Sequence, residues 1–303
     1  AFGVTTCDST QVLADSLEPP RTIWVMVPHQ AVDAVLQDLQ GHLDEGDTII
    51  EGGNSHYTDS IERAKRCREK GIHIVATGDF TFPQWFSGME KELEEIDKTG
   101  LYKLKSRQDT EVKFLLATEL ALIYKDGEHA RRIHVMVNAP NLEAVKELNE
   151  YLGKKYNLVS DGRPILGLSA PELVRICRRI HPDFFIYPAH IWTPWFAIFG
   201  SKSGFNSMEE CFRDQTEYIH AYETGLSSDP EMNWRLSALD DYTLLSSSDA
   251  HSLPNIGREA TVFELEDPSY QGIYEAIKNK DLNKVKYTIE FYPEEGMYHY
   301  DGH

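Results

Sequence analysis

The feature that most constrains this chain is a succession of short, nearly all-apolar runs separated by segments of helical period. Residues 22–28 read TIWVMVP after a Pro-Pro pair. A near-continuous apolar run of this length predicts a buried parallel strand. Residues 30–43 then carry Val32, Val35, Leu36, Leu39 and Leu43, which is helical spacing. DTIIEGGNS follows as a strand running into a tight Gly-Gly-Asn-Ser turn. Thr58 and Asp59 are placed to cap a helix through about Lys70, Gly71 ends it, and IHIVATG is a further buried strand. A β-α-β-α-β order with short connections calls for a right-handed parallel arrangement.

From Gly78 onward the texture changes. FLLATELALIY, RIHVMVNAP, FFIYPAH, IHAYETG and TLLSSSDAH read as strands, several ending in a polar or ionisable residue: Glu119, His190, Glu223, Asp249. Helices are predicted over 141–155, 170–180, 206–214 and 229–240. The acidic run Glu90–Asp97 is expected to be a solvated helix face. Such α/β folds build their sites at the carboxyl ends of strands.

At 303 residues the chain has room for two domains or one large α/β domain. It holds no stretch of about 18 apolar residues, so no membrane span is expected. The N-terminal AFGVTTCDSTQVLADS lacks a basic region and an apolar core, so it is not a signal peptide, and a cytoplasmic setting is expected. The absent initiator Met and the tail YTIEFYPEEGMYHYDGH suggest a fragment. A net charge of −19 repels nucleic acid on average, so a nucleic-acid partner would need a locally basic groove or a bound cation. Cys7, Cys67, Cys177 and Cys211 match no structural zinc spacing and read as reduced thiols. Nothing in the sequence points to a protein partner.

Asp79, Glu119, His134, His190, Asp249 and His251 all fall at or near predicted strand ends. A single such histidine is commonly a hydrogen-bonded core residue; the set carries the signal. In SSSDAHS, Asp249 and His251 stand at i and i+2 of an extended segment and share a face. A mixed nitrogen and oxygen set suits Zn, Mn or Fe, with Mg as a possible activating ion. Clustered divalent ions suit hydrolysis of a phosphate ester, with Asp249 and His251 the foremost candidates to act on the attacking water. Their carboxylates are expected to show raised pKa values without metal, through mutual repulsion.

The strings TGDFTFPQW, LLATELALIY, RRIHVMVNAP, SDGRPILGL, YPAHIWTPWFAIFGSKSGFNSMEECF, ETGLSSDPEMNWRLSALD, SSSDAHS and GREATVFE resemble the PHP (polymerase and histidinol phosphatase) metal-dependent phosphoesterase superfamily, endonuclease Q type. The resemblance covers residues from about 77 to 303. It implies a distorted (β/α)7 barrel with a metal cluster at strand carboxyl ends, held by the same six residues. It also implies cleavage of DNA 5′ of a deaminated base or an abasic site, a role in DNA repair, and a base lifted from the stack. Lys202, Arg235 and Arg258 lie in matching segments and would meet phosphates. The family's opening His-x-His strand has no counterpart here, Phe82 stands where the family usually has His, and its Cys-rich zinc-ribbon region would begin after His303. An inactive metal-binding remnant or chimera is therefore the alternative.

Residues 12–76 resemble the cofactor domain of 6-phosphogluconate dehydrogenase through WVMVP and IIEGGNSHY. That resemblance would place Val27, Pro28, Asn54 and Ser55 near nicotinamide and substrate. The G-x-G-x-x-G fingerprint and the dehydrogenase's catalytic domain are missing, so residues 1–76 read as a truncated Rossmann-like βαβαβ segment preceding or closing the barrel, with no bound nicotinamide expected. A fragment of an NADP-dependent dehydrogenase is a further alternative. The seam falls near Val75–Gly78, so IIEGGNSHY would replace the first barrel strand and bring Glu51, Asn54 or His56 towards the vacated metal positions.

Overall fold

The computed structural model describes residues 7, 9–17, 21–25, 35, 37–39, 41–44, 48–51, 73–106, 112–159, 163–250 and 257–295. The chain divides into two compact units: Ala1–His73 with Ser248–Arg258, and Ile74–Ser247 with Glu259–His303.

In the first unit, helix α1 (Thr10–Asp15) starts at Ser9, whose hydroxyl accepts from the Val12 amide. Strands β1 (Thr22–Val25) and β2 (Thr48–Glu51) pair in parallel, Thr22 opposite Thr48, as the apolar runs predict. Val35, Gln37, Asp38 and Leu39 between them are helical. Leu39 and Ile23 are buried against Leu13, Val35 and Leu43. Pro28, Asn54, Ser55, His56 and His251 lie outside the described residues.

The second unit is built on a mixed sheet of seven strands. Strand β3 (Ile74–Ala76) is followed by helix α2 (Pro83–Glu92), with Pro83 in its first turn where no amide is needed. The predicted acidic helix face ends early: Leu93–Glu95 is a strand, β4, antiparallel to β5 (Tyr102–Leu104), because Leu93 buries while Glu94 and Glu95 stay exposed.

The centre of the sheet is a hairpin of two long strands, β6 (Lys113–Asp126) and β7 (His129–Ala139). A (β/α) barrel of the kind the resemblance implies would set consecutive strands in parallel. The structure pairs them antiparallel because only Gly127 and Glu128 connect them, far short of a crossover. Gly127 takes φ +60°, as tight hairpin turns demand.

Leu116, Leu120, Leu122, Ile133, Val135 and Val137 are fully buried in the hairpin, each contributing about 1.5–3 kcal/mol relative to exposure. Helix α3 (Leu142–Gly153) packs there through Val145, Leu148 and Leu152, and its Asn141 cap accepts from the Ala144 amide at 2.8 Å. Strand β8 (Ile165–Leu166) joins β6 in parallel. Helix α4 (Ala170–Ile180) buries Leu173, Val174, Ile176 and Cys177 and ends in Arg178 and Arg179, favourable to its dipole. Strand β9 (Phe185–Pro188) pairs antiparallel with β7. Helix α5 (Met208–Phe212) then leads to β10 (Ala221–Glu223).

Helix α6 (Pro230–Asn233) is a single turn; the longer predicted helix stops there and resumes only as a 3-10 turn at Ser237–Leu239. Strand β11 (Thr243–Leu245) pairs in parallel with β10. Strands β12 (Ala260–Phe263) and β13 (Val285–Ile289) form an antiparallel pair around α7 (Tyr270–Lys278).

Candidate metal centre

The hairpin register creates the site. Glu119 lies opposite Met136, and His134 opposite Ala121, so Glu119 and His134 are diagonal neighbours on one face. They therefore stand in mid-strand, not at the strand ends that the sequence suggested. Strand β9 lies along the other edge of β7, Val135 opposite Pro188, and the chain turns immediately after Pro188. That turn delivers His190 beside His134.

The His190 backbone sits at φ +30°, a left-handed conformation that side-chain-bearing residues seldom adopt. Its neighbours hold it there. The buried Glu223, at the end of β10, accepts the His190 amide on Oε2 at 2.9 Å, and its carbonyl accepts the Ile191 amide at 3.0 Å. Gly225 packs so close that an added Cβ would meet the His190 Cβ at 2.5 Å.

Three donor atoms converge. His134 Nδ1 lies 2.8 Å from Glu119 Oε1 and 3.0 Å from His190 Nε2, and His190 Nε2 lies 3.3 Å from Glu119 Oε1. Among the described residues this is the one group of three or more metal-ligating side chains whose atoms lie within 4.8 Å of one another. Ligands about 2.0–2.2 Å from one ion lie roughly 3.0–3.4 Å apart at octahedral to tetrahedral angles. The triangle matches such a tripod to within about 0.2 Å.

The second atoms of these side chains fix their roles. The Thr193 hydroxyl donates to the Trp195 carbonyl at 2.9 Å, so it accepts from His190 Nδ1 at 3.0 Å. We assign the Nδ1–H tautomer to His190 on that network, which leaves Nε2 bare and facing the convergence point. Phe196 stacks on the His134 ring at 4.5 Å, and its carbonyl accepts the His134 amide at 2.7 Å. Arg163 donates to Glu119 Oε2 at 2.9 Å.

Burial lowers the pKa of His134 despite its bond to Glu119, so the ring is neutral near pH 7, as a ligand must be. Burial pushes the Glu119 carboxyl up, but the His134 and His190 rings beside it, which donate to it and carry charge when protonated, outweigh burial. The result lies well below the usual range. This corrects the expectation of a raised carboxylate: Glu119 is surrounded by donors, not by other acids.

The remaining predicted residues are placed differently. Asp79 is exposed, at φ +49°, in the turn after β3, and its carbonyl accepts the Phe82 amide. Asp249 belongs to the unit of residues 1–73 and 248–258, at φ +43°. Arg258 donates to the Ser248 and Asp249 carbonyls. Lys202 and Arg235 are exposed. Lys202 shares the loop after His190 with Trp195, on which Arg132 stacks at 5.2 Å. Arg163, Thr193 and Gly225 were missed. SDGRPILGL offered Arg163 as the one cation before a short strand, which is a weak signal.

Comparison with known proteins divides the chain. Residues 1–78 match the family described as the NAD binding domain of 6-phosphogluconate dehydrogenase, and residues 235–282 match one described as PHP-associated. A NAD(+)-dependent decarboxylating 6-phosphogluconate dehydrogenase of Haloferax volcanii is 47% identical over 77 residues, 25% of this chain and 26% of that protein. The uncharacterised protein YqxK of Bacillus subtilis is 31% identical over 239 residues, 76% of this chain and 57% of its own length.

Two solved structures are similar over most of the chain. The lesion-specific endonuclease PfuEndoQ of Pyrococcus furiosus has a TM-score of 0.65 at 30% identity, covering 78% of this chain and 54% of that one. Endonuclease Q in complex with a 27-mer duplex bearing an abasic lesion has a TM-score of 0.67 at 32% identity, covering 80% and 56%. The chain thus spans about a quarter of the dehydrogenase and little more than half of YqxK and the endonucleases.

Proposed function

We propose that the unit containing the hairpin is a metal-dependent phosphoesterase of the endonuclease Q type, acting on DNA that carries a deaminated base or an abasic site. The observation that carries this reading is the tripod of Glu119, His134 and His190 within a fold similar to a lesion-specific endonuclease. These three residues would hold a divalent cation of the Zn, Mn or Fe class. Such an ion, when bound, supplies a Lewis acid that favours an ionised water and offsets charge on a phosphate oxygen.

The chain's own residues prepare for it. Glu119 is ionised and His134 neutral, so the tripod carries one negative charge and two imidazole nitrogens that can ligate a cation. Thr193 orients His190, and Phe196 keeps water from one face of His134. Asp79, Asp249 and His251 keep their assignment as metal ligands on the sequence resemblance alone. Lys202 and Arg235, exposed on a chain of net charge −19, are proposed as phosphate contacts, with Arg258 holding the Asp249 turn.

The test is elemental analysis of the dialysed full chain, followed by incubation with duplexes containing deoxyinosine or an abasic site. Bound metal that is lost in His190→Ala and Glu119→Gln, with nicking 5′ of the lesion, is the expected result. Metal without nicking of either duplex would replace this reading with a metal-binding remnant. No site-dependent metal would remove both.

A further inference from the structure

Glu119 has two carboxylate oxygens, and the structure treats them unequally. Oε1 faces His134 and His190, at 2.8 and 3.3 Å. Oε2 faces Arg163, whose Nη1 lies 2.9 Å away and only 3.5 Å from His134 Nδ1.

We propose that Arg163 is a fixed counter-charge that reserves Glu119 Oε2, so that this site takes one divalent cation through Oε1 and weakens its hold on it. The proposal rests on the metal-site reading above and adds to it how many ions Glu119 serves and how tightly.

The position of Arg163 is set by the sheet. The next residue, Pro164, accepts the Ala121 amide at 3.2 Å, and Ile165 pairs with Ala121 on β6. Ala121 is two residues from Glu119 on the same face of that strand. The guanidinium is therefore carried by backbone registered to the ligand strand and aimed along it.

Its chemistry suits the task. Guanidinium keeps its charge at any ordinary pH, and its planar donors match a carboxylate oxygen. A carboxylate that bridges two cations through one oxygen each needs both oxygens, and here Arg163 engages one of them. A cation on Oε1 would also sit a few ångströms from the guanidinium charge and be repelled by it. Because the Arg163 side chain is 32% exposed, water screens part of that repulsion. The expected penalty on cation affinity is about tenfold.

The experiment uses the full chain and Mn2+ as the probe, with binding followed by electron paramagnetic resonance. Arg163→Met and Arg163→Gln remove the charge with different shapes, Arg163→Lys keeps it, and Glu119→Gln reports which binding belongs to this site. The expected result is tighter Glu119-dependent binding, by about tenfold, in both neutral variants, with Arg163→Lys near the wild type. The wild-type signal should be that of uncoupled Mn2+. Equal or weaker binding in both neutral variants overturns the proposal, as does an exchange-coupled Mn2+ pair in the wild type that Glu119→Gln abolishes. Binding insensitive to Glu119→Gln in every background would instead overturn the metal-site reading, and this proposal with it.

Discussion

Gly225→Ala tests how the site is held together. The native residue has φ +70°, and an added Cβ would lie 2.5 Å from the His190 Cβ and 2.9 Å from its Cα. The left-handed backbone costs a residue with a Cβ about 1–2 kcal/mol. Overpacking against a neighbour that cannot swing away costs about 1–3 kcal/mol more. The His190 Cα cannot swing away, because its amide is tied to Glu223 and the next amide to the Glu223 carbonyl.

The expected loss is therefore about 2–5 kcal/mol, read as a fall of about 4–20 °C in the melting transition. Relief of the contact needs a shift of His190 by about 1 Å, enough to spoil a tripod of this precision, so Mn2+ affinity should fall by roughly tenfold or more. Gly127→Ala is the control: its φ is +60°, yet nothing lies within 4 Å of the added Cβ. It should show the backbone cost alone and unchanged Mn2+ binding. Should Gly225→Ala melt within 2 °C of Gly127→Ala (about 1 kcal/mol or less) and bind Mn2+ as the wild type does, packing of Gly225 against His190 does not organise the site.

Two further outcomes follow from named contacts. Thr193→Val removes the acceptor for His190 Nδ1 and should weaken Mn2+ binding about 10–100-fold with little change in melting temperature; unchanged affinity would refute the tautomer assignment. Glu290 has both oxygens buried without a well-formed hydrogen bond. Burial, which outweighs the lowering contact with the Thr288 hydroxyl and is helped by the charges of Glu259 and Asp229, pushes its pKa from 4.5 to about 8. A raised folded-state value means that its stabilising contribution is complete below about pH 4.5 and is lost as pH rises through about 8. The gap bounds that loss near 5 kcal/mol, and partial solvent contact reduces the expected value to about 2 kcal/mol. Denaturation of the wild type from pH 5 to 9 should show the decline and Glu290→Gln should not; parallel profiles would refute the assignment.

Much of the local structure was legible because burial repeats along the chain. Ala170–Ile180 is a helix at the predicted bounds, since its apolar residues recur at helical spacing behind a Pro in the first turn. Thr22–Val25 and Thr48–Glu51 pair in parallel as their apolar runs imply. Both hairpin strands are legible but their antiparallel pairing is not, although Asp126-Gly127 is a turn signal, because both runs are buried on two faces and so lack the alternation that marks an antiparallel pair. The acidic segment at Glu94 failed for a related reason: two exposed glutamates beside a buried leucine suit a strand as well as a helix end.

For the site, residue chemistry alone nominated Glu119, His134 and His190, because convergent imidazole and carboxylate groups near strands are the raw material of a metal centre. Their convergence could not be read in the same way. His134 and His190 are 56 residues apart, Glu119 and His190 are 71 apart, and Arg163 and Glu119 are 44 apart. Which of these meet depends on the register of β6 against β7, on the turn after β9, and on the parallel docking of β8. A one-residue slip in that register would send Glu119 to the opposite face. The sequence by itself determined that one carboxylate and two imidazoles stand on or just after these strands. Only the tertiary structure decided that Arg163 and Thr193 complete the group, because neither has a local pattern and each acquires its role from a partner brought near by the folded sheet.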